Sequence, residues 1–154
     1  MKKYLFMTGS HWTGLFLRLS ICLVLFPHGA QKMLGLFGGF GFKGTMDYFT
    51  VTLQLPCLIG FLVILIEFTG SMFLLAGLAG RAMAALIILL MTGIIFTAHI
   101  DNGFFMNWLG NQKAEGYESH LLMIGLALSL LLNGSGRYSA DLLLSRRRSM
   151  RKRS

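Results

Sequence analysis

Charged side chains are scarce in this chain. They make up 13% of its 154 residues, about half the share carried by a soluble domain. The polar surface of a water-soluble globule cannot be built from so few. Acidic residues are scarcest, six Asp and Glu against fourteen Lys and Arg. Cysteine is nearly absent. Cys22 and Cys57 lack any Cys-x-x-Cys metal or redox spacing, and each sits in an apolar stretch as a small hydrophobe. No Ser-His-Asp set, phosphate loop or dinucleotide fingerprint occurs, because the Gly/Phe-rich runs have no flanking strand. A soluble enzyme, a disordered chain and a disulfide scaffold are all disfavoured.

What fills the chain is apolar. Hydrophobic residues reach 55% and there are 19 glycines, together roughly 67% against a soluble norm near 45–50%. Four continuous apolar runs stand out: Trp12 to Met33, interrupted by Arg18 and ended by Pro27-His28-Gly29; Pro56 to Leu78, with Glu67 as its one charge; Ala82 to Ala98, uncharged; and His120 to Leu132. About 20 apolar residues at a 1.5 Å rise cross a bilayer core. The fourth run does so only with Tyr117–Glu118 and Asn133 at the interfaces. Continuous rather than alternating apolar runs exclude a membrane barrel. The expected fold is therefore all-α, an integral membrane four-helix bundle in contact with the lipid bilayer. The first run carries Arg18 and offers no small-x-small cleavage site, so it reads as a span and not as a removable signal.

Orientation follows from the basic residues. The net charge of +8 is concentrated in Arg146, Arg147, Arg148, Arg151, Lys152 and Arg153, without which eight basic residues face six acidic ones. Such a cluster beside an apolar core marks the cytoplasmic side of a membrane, and no basic groove with stacking aromatics points to nucleic acid. With Lys2, Lys3, Arg81 and Arg137 on that side, the positive-inside rule places both termini in the cytoplasm. Residues 1–144 read as the membrane domain and 145–154 as a basic cytoplasmic tail. The connections 34–55 and 100–116 read as loops that face outward. Their Gly/Phe runs serve either as an interfacial aromatic belt or as a lid over an apolar cofactor.

The ionisable residues within the spans are few and informative. Glu67 lies about ten residues, or roughly 15 Å, from either end of its run. Either it carries a proton or a cation meets it, and the simplest partner is Arg18, as a packing bridge or as a proton or ligand site. Toward the outer side, Lys32 and His28 fall about 40° and 80° from Arg18 around helix one. His99, Asp101 and Glu118 come to the same level. Glu118 and His120 point about 200° apart, so one of them faces inward. Histidine changes charge most readily near neutral pH. This set is open to three readings: interfacial histidines satisfied by backbone or headgroups, proton-linked binding of a quinone or small ligand, or a metal. No His-x3-His or Glu-x-x-His spacing supports the last.

In this order and spacing, the chain resembles the DoxX family of small bacterial membrane proteins. The resemblance rests on Arg18, His28-Gly29 and Lys32; Glu67 with Gly70; Gly80-Arg81; His99 with Gly103-Phe104-Phe105; Gly116-Tyr117-Glu118; and Gly134-Ser135-Gly136-Arg137 with Ser139 and Asp141. Ser135 stands where the family often has proline, and the arginine-rich tail is an addition. The resemblance implies a four-helix protein of the bacterial cytoplasmic (inner) membrane. It also implies a link to quinone chemistry, since the wider group takes its name from subunits of a terminal quinol oxidase and a thiosulfate:quinone oxidoreductase.

On this reading Glu67, His28 and His99 are the candidate catalytic residues, and Arg18, Lys32 and Glu118 bind ligand. A quinone is the expected cofactor, with no haem, flavin or metal site of its own. A membrane or soluble oxidoreductase is the expected partner. The rival readings are a non-catalytic membrane adaptor or assembly factor, and a small transporter. The transporter would need a homo-oligomer, for which Gly70, Gly77 and Gly80 offer close packing. After the fourth run, Ser139 reads as the N-cap of a short helix, with Asp141 in its first turn pairing with Arg137.

Overall fold

The structure, a computed structural model, describes residues 8–150, with side chains through Arg146. Lys2, Lys3, Arg151, Lys152 and Arg153 lie outside the described residues. The described chain forms α1 (Trp12–Leu34), α2 (Gly41–Asp47, continued by a π turn Tyr48–Thr52), α3 (Cys57–Ala76), α4 (Gly80–Asn102), α5 (Glu118–Asn133) and α6 (Ala140–Met150). There is no strand among the described residues. The all-α expectation holds, and α1, α3 and α4 are long and apolar enough to cross a membrane. At 16 residues α5 spans about 24 Å, so its polar ends belong at the two interfaces.

The spans run antiparallel in sequence order around one core: α1 packs on α3 and α5, and α4 packs on α5 and α3. Ile21, Leu25, Leu74, Ile87, Ala127 and Leu130 fill the centre and are almost wholly buried. Large apolar residues such as Leu23, Leu58 and Leu89 face outward, the inverse of a soluble helix and the expected one for a lipid-facing surface. Two expectations change. Pro27 does not stop α1, which continues to Leu34 and ends at Gly35 in the left-handed region (φ 72°). In a membrane span, neighbouring helices and local adjustments re-satisfy the backbone group that proline frees. The connection 34–55 is not a loop either, since α2 within it packs against α1.

One end of the bundle is closed by polar side chains bonded to backbone. Arg18, 1% exposed, donates from Nη1 to the carbonyls of Leu74 (3.1 Å) and Leu75 (2.6 Å), and from Nη2 to those of Arg137 (3.1 Å) and Tyr138 (2.6 Å). The last turn of α3 has free carbonyls, and a guanidinium on a neighbouring helix takes them up. Asp141 mirrors this at the start of α4. It accepts from the backbone N–H of Ala79 (2.9 Å) and Gly80 (3.0 Å) and from Ser135 Oγ (2.6 Å). The expected Arg137–Asp141 pair does not form, because the carboxylate is spent on these orphan donors. The Arg137 guanidinium instead lies 4.7 Å from the Trp12 ring centre and 5.3 Å from that of Tyr138. Ser139 does cap α6, its Oγ accepting from Leu142 N at 3.2 Å. Gly77 and Gly80 are used inside the protomer, against Ser139 and Ser135.

Candidate functional site

Glu67 is 3% exposed, so a charge there needs company. Its company is Lys32: the ammonium Nζ donates to Glu67 Oε2 at 2.5 Å, and Lys32 keeps a quarter of its side-chain surface exposed. This corrects the expected Arg18–Glu67 contact. Because α3 runs antiparallel to α1, Arg18 is level with Leu74 and Leu75. That leaves Glu67 about two turns, or roughly 11 Å, further along α3. Lys32 lies about four turns beyond Arg18 and near its face of α1, and it is the cation in reach.

Two features set this register. Gly29 is buried against the α3 backbone, where an added Cβ would lie 2.6 Å from Glu67 C and from Phe68 N and Cα. The helices touch there without a side chain between them, and Lys32 one turn later falls beside Glu67. Phe26 and Phe68 stack alongside at 5.9 Å between ring centres. In addition, α3 widens into a π turn over Ile66–Gly70, a distortion frequent at functional sites. Gly29→Ala is accordingly expected to force the helices apart at a cost of about 1–3 kcal/mol and to weaken the Lys32–Glu67 pair. Thermal unfolding of the purified variant in detergent measures the first effect.

Lys32 also lines a cleft of about 260 Å³ between α1 and α2, with Gln31, Gly39, Phe40, Thr45, Tyr48 and Phe49. Thr45, Tyr48 and Phe49 are three and four residues apart, so one helical face delivers them together. Phe49 and Thr45 are buried, while Phe40 and Tyr48 are exposed at the rim. Gln31 is held by donating Nε2 to the Phe37 carbonyl (3.1 Å). The site thus joins a buried ion pair to an aromatic-walled recess.

The remaining predicted residues lie at the end of the bundle opposite Arg18 and Asp141. A π turn, Ile95–His99, ends the regular part of α4. His99 Nδ1 is 2.7 Å from the carbonyl of Glu115. A carbonyl only accepts, so His99 carries its proton on Nδ1. Its ring faces that of His120, 4.5 Å between centres. His28, exposed on α1, lies within electrostatic range of His120, as does His99. His28 and His99 therefore do share one end. Of the two residues opening α5, His120 joins them, whereas Glu118 accepts from Trp108 Nε1 at 3.2 Å in the connection 103–117. Glu118, expected at this level as a ligand-binding residue, turns to Trp108 instead. The 200° offset left the choice open, and the ring contact of His120 decides it. Asp101 is exposed. Among the described residues, no group of three His, Cys, Asp or Glu could hold a metal ion.

The DoxX family model matches residues 14–100, which carry Arg18, His28, Gly29, Lys32, Glu67 and His99. The chain is 28% identical over 121 residues to the Bacillus subtilis (strain 168) protein named "Putative oxidoreductase CatD", covering 79% of this chain and 78% of that protein. No solved structure matches it. The family match covers more than half of the chain and contains both members of the buried ion pair, so this multi-pass membrane protein belongs to the DoxX family.

Proposed function

We propose that this protein is a membrane subunit of a quinone-linked oxidoreductase system in the bacterial cytoplasmic membrane, with both termini on the cytoplasmic side. The observation that carries the reading is the Lys32–Glu67 pair at the edge of the aromatic cleft. Ligand sites are mostly apolar with a few placed polar groups, and drug-sized ones begin near 300 Å³. A recess of about 260 Å³ suits a ring headgroup whose apolar tail stays in lipid.

The residues present fit a quinone. Phe40, Tyr48 and Phe49 offer ring faces, and an ammonium has three donors, of which Glu67 takes one. Lys32 would bind and polarise a quinone carbonyl, Glu67 would hold Lys32 charged and aimed, and Thr45 and Gln31 would orient the ring. A bound quinone would supply the two-electron, two-proton redox chemistry, with electrons exchanged through a partner's haem, flavin or metal. His28, His99 and His120 at the outer end would relay protons. Membership of the DoxX family and likeness to a protein named as an oxidoreductase support the reading.

The test is gentle purification from the native membrane, followed by mass spectrometry of the extracted small molecules and co-purifying proteins. Quinone in near-stoichiometric amount, reduced at least tenfold in Tyr48→Ala, is expected. A partner protein with no quinone in the wild-type preparation would overturn the proposal in favour of an adaptor.

A further inference from the structure

The closed end of the bundle carries a second surface that the redox reading does not use. There α6 is fixed to the spans. Asp141 N donates to the Gly77 carbonyl at 3.0 Å, and its carboxylate is tied to the first residues of α4. The start of α6 therefore cannot leave the membrane surface. Beside it, Trp12 (50% exposed) and Tyr138 (68% exposed) hold the Arg137 guanidinium over their rings. Exposed aromatics of this kind mark headgroup depth. From that depth α6 presents Leu143, 64% exposed, with Leu144 and Arg146 also exposed, and its sequence continues with Arg147 and Arg148. No acidic residue follows Asp141 in the sequence, while three more basic residues follow Met150.

We infer that α6 and its arginine run form a seat for anionic phospholipid headgroups of the adjoining leaflet. The exposed leucines would enter the headgroup boundary while the arginines neutralise lipid phosphates. Four to eight basic residues next to a span or on a surface helix are the composition that anionic membranes retain. Attachment through Asp141 keeps the local lipid concentration high, so each contact forms without a search. The charge is one-signed and the surface opposite it in an anionic leaflet is of the other sign. That complementarity selects anionic over neutral lipid.

The full chain, with a fluorophore on a peptide tag after Ser154, is placed in nanodiscs containing a headgroup-labelled acceptor lipid. The discs are phosphatidylcholine alone, or the same with one third phosphatidylglycerol. Energy transfer is expected to be higher in the phosphatidylglycerol discs and to fall with added salt. The triple variant R146Q/R147Q/R148Q should weaken tail partitioning about 100-fold, at roughly fivefold per basic residue, and R146K/R147K/R148K should retain it. Equal transfer in both discs would overturn the inference. So would full transfer in the glutamine variant, or loss of the lipid difference when single-stranded nucleic acid is added at low stoichiometry.

Discussion

Arg18→Met is expected to lower the unfolding temperature in detergent by roughly 10 °C without altering quinone content per folded molecule. Methionine preserves much of the volume and removes every donor. Four carbonyls then lose a charge-assisted partner: two at the C-terminal turn of α3 and two in the link to α6. Removing one partner from a buried charged cluster costs about 3–5 kcal/mol, and each kcal/mol shifts the midpoint about 2–4 °C for a chain of this size. Asp141, with three donors aimed at it, also loses the attraction of the Arg18 charge. Arg18→Lys should recover little, because one ammonium cannot address four carbonyls in the plane of a guanidinium. A loss of quinone with unchanged stability would assign Arg18 to the ligand site instead of to the closed end.

Lys32→Met and Glu67→Gln should differ sharply although they break the same contact. Removing Lys32 takes from a carboxylate at 3% exposure the cation it pairs with among the described residues, a cost of about 3–5 kcal/mol. Removing the charge of Glu67 leaves Lys32 a quarter exposed, and its flexible stem can carry the ammonium out to the headgroup layer. That variant should lose only about 1 kcal/mol, the order of one net hydrogen bond. Both should lose quinone retention, because the cleft then lacks an aimed donor. Thermal unfolding set beside quinone content separates the effects. Equal destabilisation by the two substitutions would mean that the carboxylate has another partner.

Much of the architecture was legible because lipid imposes simple rules. Continuous apolar runs become helices, and a charge inside one must be answered. The spans, the burial of Glu67 and the common level of His28 and His99 all follow from run length and helical rise. What could not be read was the vertical register between helices. Arg18 and Lys32 fall near one face of α1, so the angular argument could not choose which of them meets Glu67. The choice rests on Gly29 seating α1 against α3, a contact between backbones that a one-dimensional pattern does not encode. The cleft was hidden for a related reason. Its walls come from α2, in a stretch whose glycines and phenylalanines read as a loop, although the spacing of Thr45, Tyr48 and Phe49 was an available helical signal. His120 was missed because a two-residue offset excludes one side chain without naming it.

The most direct test of where the buried carboxylate is held is a pair of double-mutant cycles on unfolding free energy. One combines Lys32→Met with Glu67→Gln, the other Arg18→Met with Glu67→Gln. Contacting charged groups couple by about 0.5–3 kcal/mol, and sites without a shared partner add to within about 0.5 kcal/mol. The expected result is a coupling near 2 kcal/mol for Lys32 with Glu67 and additivity for Arg18 with Glu67. Additivity in the first cycle together with coupling in the second would contradict it, returning the carboxylate to Arg18 and separating it from the cleft.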